Sequence, residues 1–135
     1  MRIMVDANII ISAVLFPTSV VAKVLTLIIE QYNLVLSKYT VNEINDVFVE
    51  KFPHKINEKD IFMGKLIYER FDIDVLEKNK YPTIRDIDDL PVLANAIESK
   101  VDILITGDKD FDEIQIDKPK IMKPRQFLDK YNKIE

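Results

Sequence analysis

The chain has 135 residues, with 19 Lys+Arg against 23 Asp+Glu for a formal net charge of -4, two Gly, one His and no Cys or Trp. Without cysteine there is no disulfide framework, thiol nucleophile or Cys-based zinc site, and His54 alone leaves little room for a Ser-His-Asp triad or a His-rich metal site. Gly64 and Gly107 stand apart, so neither a dinucleotide fingerprint nor a Walker loop can be written, and any catalytic groups must be mostly carboxylates.

Residues 2–5 read as a strand, Asp6-Ala7-Asn8 as a polar turn, and residues 9–15 as a short helix stopped at Phe16-Pro17. A largely buried helix follows over residues 19–31, because Val20, Val24, Leu27 and Ile28 recur at helical spacing. Leu34-Val35-Leu36 is a second strand. Thr40-Val41-Asn42-Glu43 has the form of a capping box and predicts a helix that closes before Pro53. A further helix is expected over residues 58–70 and a third strand over residues 73–76. After a polar loop, residues 89–99 carry Val92, Leu93, Ala96 and Ile97 on one helical face. Residues 102–106 form a fourth strand, Ile121-Met122 a fifth, and Pro124 opens a terminal helix. Strands alternating with helices predict a three-layer α/β/α domain on a mainly parallel sheet, and one domain is expected across residues 1–135. No apolar run approaches the roughly 18–20 residues of a membrane span, and Asp6 interrupts the first run too early for a secretory leader. The expectation is a cytoplasmic protein without a membrane partner.

In parallel α/β sheets ligands bind outside the carboxyl ends of the strands. Asp6 follows the first strand, Glu43 lies early in the helix after the second, Asp89 opens the helix after the third, and Asp108 follows the fourth. Each acid has a plainer use: Glu43 as the return partner of Thr40, Asp89 and Asp108 as helix caps. Independent caps have no reason to share one edge, whereas a metal site requires it. Clustered carboxylates repel one another unless a cation neutralises them, and a hard divalent ion, Mg²⁺ or Mn²⁺, takes such ligands. Lys38, Lys109, Lys123 and Arg125 flank the strand ends and are candidates for gripping a polyanion. His54 and the aromatics Phe48, Phe62, Tyr68 and Phe71 are assigned to the surface and to core or interface, respectively.

Asp6-Ala7-Asn8-Ile9-Ile10-Ile11-Ser12-Ala13 resembles the opening of PIN-domain nucleases. Arg85-Asp86-Ile87-Asp88-Asp89-Leu90-Pro91 resembles their third acidic motif, Thr106-Gly107-Asp108-Lys109-Asp110 the fourth, and the ending through Lys123-Pro124-Arg125-Gln126-Phe127 that of the VapC-like toxins of toxin–antitoxin pairs. The resemblance implies a Mg²⁺- or Mn²⁺-dependent endoribonuclease with Asp6, Glu43, Asp89 and Asp108 as catalytic and metal-binding acids. It also implies Asn8, Ser12 and Thr106 as residues that orient carboxylates and waters, with Asp110 an outer carboxylate. Asp89 is preferred over Asp86 and Asp88, and Asp88 is the expected cap. Ala7 departs from the Thr or Ser of many relatives. An antitoxin partner and a homodimer are expected by resemblance alone, with residues 58–71 as a contact.

Two other classes fit parts of the pattern. A phosphoacceptor receiver domain shares an acid after its first strand, a Thr after its fourth and a Lys-Pro after its fifth, as at Asp6, Thr106 and Lys123-Pro124, but Val75-Leu76-Glu77 lacks the phosphoacceptor Asp. The other is a catalytically silent PIN-fold binding module.

Overall fold

The structure, a computed structural model, describes residues 1–132. Five strands, β1 (Arg2–Val5), β2 (Asn33–Leu36), β3 (Glu69–Arg70), β4 (Ile103–Ile105) and β5 (Lys120–Met122), pair throughout in parallel in the order β3-β2-β1-β4-β5. Parallel neighbours need crossover connections, and helices supply them. These are α1 (Ala7–Leu15), α2 (Val20–Gln31), α3 (Lys38–Lys51), α4 (Ile56–Lys65) and α5 (Leu90–Glu98), with α6 (Pro124–Tyr131) after the last strand.

Strand side chains alternate between two cores, as the pleat dictates. Ile3, Val5, Leu34, Leu36, Ile103 and Ile105 face a large core built with α1, α2, α3 and α6, in which Phe48 and Phe127 are fully buried. Met4, Val35 and Leu104 face the other way onto α5 through Leu90, Leu93 and Ala96. The three-layer arrangement expected from sequence follows, because the central strands β2, β1 and β4 are apolar on both faces. No single helix among the described residues is long and apolar enough to cross a membrane.

The strand order decides against the receiver alternative. Receivers have the flavodoxin-like order 2-1-3-4-5, in which the third strand neighbours the first. Here β4 occupies that place and β3 lies at the far edge. The chain therefore leaves β1 toward β2 and β3, then crosses to the opposite side at β4, which puts the switch point of the sheet between β1 and β4.

Three local expectations change. The cap of α3 is Ser37, whose side chain accepts the Thr40 N–H at 3.2 Å, so the helix starts three residues before the expected box and Glu43 lies a turn inside it. Thr40 is then buried in the first turn, and Glu43 is released from capping. Helix α4 ends at Lys65, and β3 is Glu69–Arg70 rather than residues 73–76. A two-residue, exposed and charged edge strand carries no apolar signature, while the apolar run after it is coil: Leu76 packs on the second core, Val75 is exposed, and Ile73 donates its N–H to Asn95 Oδ1 at 3.0 Å. Asp86, not Asp88, caps the turn Ile87–Asp89, accepting the Asp88 N–H at 2.9 Å.

Candidate metal centre

Asp6 leaves the carboxyl end of β1, its own N–H still bonded to the Ile105 carbonyl at 3.2 Å. One carboxylate oxygen caps α1 by accepting the Ile9 N–H at 3.2 Å, and the other accepts a short hydrogen bond from the Thr106 hydroxyl. Thr106, wholly buried at the end of β4, accepts the Asp108 N–H at 3.0 Å on the same oxygen. A single hydroxyl thus joins the acids of two adjacent strands across the switch point. Asp108 in turn accepts the Asp110 N–H at 2.9 Å and caps the turn Lys109–Phe111. The plainer use as a cap is real for Asp108, and Asp6 caps α1 although the sequence did not suggest it; capping fixes both positions without consuming all their lone pairs.

The remaining acids come from the helices. Glu43 projects half-buried from α3, and Asp89 stands at the start of α5, where its side chain caps no helix N–H. Carboxylate oxygens of Asp86, Asp89 and Asp110 all lie within 4.8 Å of one another. Asp89 Oδ2 is buried without a hydrogen-bond partner.

Crowding shows in the ionisation of the group. Burial pushes the Asp6 carboxyl up, opposed by the hydrogen bonds from Thr106 and Ile9 and reinforced by the charge of Asp108. Burial also raises Glu43, with Asp6 and Asp108 adding to it. Asp89 is pushed up to about 7, chiefly by burial and then by Asp110, Asp108 and Asp86. Asp108 acts on all three, so the acids form one electrostatic unit.

All four acids predicted from sequence, with Thr106 and Asp110, converge on this edge. Asn8 is exposed on the first turn of α1, its backbone N–H directed to the Asp6 carboxylate. Ser12, half-buried farther along α1, contributes its carbonyl, which accepts the Phe16 N–H at 2.8 Å and closes the helix. Of the candidate cations, Lys123 is tied to Asp112 at 2.7 Å and reaches the Gly107 and Asp108 carbonyls at 3.4 Å, bracing the loop after β4. Lys109 and Arg125 are exposed. Sequence reasoning passed over Asp86, a member of the carboxylate trio, and Arg85, whose Nε lies 3.7 Å from Asp110 Oδ1. An Asp two residues before Asp88 was the available signal, since Asx side chains commonly accept the N–H two residues on.

Partnerless buried oxygen and mutually raised carboxylates together suit a hard divalent cation, which takes oxygen ligands and removes the repulsion. What the fold and site define is a parallel α/β domain with carboxylates gathered at the switch-point edge of its sheet. The family model of the PIN domain matches residues 2–110, and the chain belongs to that family. In the crystal structure of VapBC2 from Rickettsia felis, bound to a DNA fragment from their promoter, a chain shares this fold with a TM-score of 0.66 at 18% identity, covering 91% of this chain and 98% of that one. No curated protein matches the chain.

Proposed function

We propose that this PIN domain is a Mg²⁺- or Mn²⁺-dependent endoribonuclease of the cytoplasm, the toxin of a toxin–antitoxin pair. The observation that carries the nuclease chemistry is the buried, partnerless Asp89 Oδ2 among carboxylates that raise one another. Asp6, Glu43, Asp89 and Asp108 would hold the ion, with Asp110 and Asp86 beside them. Bound there, a divalent ion supplies Lewis acidity, lowering the pKa of a water and neutralising charge that develops on phosphorus. Thr106 holds Asp6 and Asp108 in register, and the Asp110 N–H turns the Asp108 carboxylate inward. Lys109 and Arg125, with Lys123 bracing the loop between them and the acids, would meet the phosphates on either side. Arg85 adds a further positive group next to Asp110.

The toxin assignment is supported by the fold shared with a chain of VapBC2 and by the VapC-like ending of the sequence. It implies an antitoxin partner and a homodimer. A search for a small reading frame adjoining the gene, and co-purification of its product with this chain on co-expression, tests it.

The chemistry is tested by Mn²⁺-dependent cleavage of single-stranded RNA. Asp6→Asn and Asp89→Asn should each lower the rate by at least about 100-fold with circular dichroism unchanged, as expected for groups that hold a catalytic ion. Wild-type cleavage by either variant removes that residue from the site. Loss of Mn²⁺ binding by calorimetry in the same variants separates a ligand role from a folding defect.

A further inference from the structure

Beside the acids lies an open groove of about 540 Å³ between the first turns of α3, the end of β3 and the start of α5. Tyr39 forms its boundary with the acids. The phenol lines the groove and donates to the Asp88 carbonyl at 2.8 Å, and after burial its ionisation is opposed most by Glu43, Asp88 and Asp89. Tyr39 is 37% exposed. Asn42 stands one turn farther along α3 on the same face, and Pro91 supplies an apolar wall opposite these polar groups.

The charge of this lining differs from that of the acid edge. Lys38 and Arg70 balance Asp72 and Asp74, so the groove is formally neutral. Asp72 is also committed locally, accepting the Lys38 N–H at 2.6 Å and Arg70 Nε at 2.9 Å. Asn95, which is 3% exposed, accepts the Ile73 N–H and donates to the Pro91 carbonyl at 2.8 Å, and so fixes the wall. A neutral groove with an exposed aromatic, an apolar surface and an amide suits a neutral, flat, hydrogen-bonding group better than a phosphate.

We infer that this groove receives the nucleobase of the RNA nucleotide adjoining the scissile phosphate, stacked on Tyr39 with Asn42 reading its edge. The inference rests on the ribonuclease reading, because the acids fix where the phosphate lies. Aromatic stacking tolerates any base, whereas an amide discriminates between hydrogen-bonding edges, so the groove would supply affinity through one residue and sequence preference through the other.

The test uses short single-stranded oligoribonucleotides that carry one abasic nucleotide at successive positions. Binding is read by fluorescence anisotropy on Asp108→Asn protein, which leaves the strand intact, and cleavage is read on wild type. One abasic position should weaken binding about 5- to 150-fold, the range of a single base–aromatic stack. Tyr39→Leu should weaken binding of the intact strand by a similar factor and remove that positional effect, acting on KM more than on kcat. Tyr39→Phe, which keeps the ring, should retain the binding, and Asn42→Ala should broaden the base preference at the cleavage site. A flat abasic scan with RNA still cleaved overturns the groove and leaves the nuclease standing. Base-dependent binding without cleavage under any divalent ion leaves the groove and overturns the nuclease. Neither binding nor cleavage overturns both.

Discussion

Asp89 concentrates the cost of the site in one side chain. Its carboxyl titrates near 7 in the folded chain, from an ordinary value of 3.8, because burial and the neighbouring acids disfavour its charged form. Between those values the folded state binds the proton that the unfolded chain has released. Without a divalent ion, the contribution of Asp89 to stability should therefore be greatest near pH 4 and below, and be lost as pH rises toward 7. Asp89→Asn removes the Asp89 share of this dependence and leaves that of Asp6 and Glu43. In EDTA at pH 8 it should raise the melting temperature by about 3 °C, a shift of roughly 1 kcal/mol after allowing for solvent screening at a partly exposed group. Adding Mn²⁺ should raise the wild-type melting temperature more at pH 8 than at pH 5, because protons compete for the same oxygens. Melting curves at both pH values check each point, and an Asp89→Asn protein that melts lower than wild type in EDTA would show that the carboxylate stabilises the fold.

At the scale of elements, caps and edges determine which side chains are free. The cap Ser37 moves the start of α3 back by three residues, and that displacement is what leaves Glu43 available to the site. The C-terminus of α5 shows the opposite economy: Lys100 adopts φ 58, a left-handed conformation that favours glycine, while its N–H bonds to the Ile97 carbonyl at 3.1 Å. Lys100→Gly should stabilise the protein by about 0.5–1 kcal/mol in urea unfolding, because the relief of the side-chain clash exceeds the added freedom of the unfolded chain. Long apolar elements were legible in the sequence for a plain reason: β1, β4, α2 and α5 are periodic or continuous in burial, and burial leaves a pattern. Edge strand β3 was not legible, since two exposed charged residues pair by backbone alone. The four acids could be placed from strand ends and motif order; Asp86 had only the local signal of an Asx side chain two residues before Asp88, and the position of Tyr39 depends on a cross-element hydrogen bond that spacing does not encode.

For the whole molecule, net charge is a poor guide to the partner. The formal excess of four negative charges is smaller than the number of acids drawn to the switch-point edge, so a bound cation would change the field where the proposed RNA would approach. Balanced charge in the Tyr39 groove then leaves that side open to a base. The connection order of the sheet adds a constraint of another kind. Central strand β1 is made first but cannot be flanked on both sides until β4 exists, and Asp6 and Thr106, whose hydrogen bond organises the acids, are separated by 100 positions along the chain. A chain cut after residue 101 should fail to show a cooperative melt or bind Mn²⁺, which circular dichroism and calorimetry can establish. In a growing polypeptide Asp6 would have only its cap on α1 to hold it until Thr106 is added. The acids of the switch-point edge can therefore come together only after strand β4 has been made, an order set by the topology of the sheet.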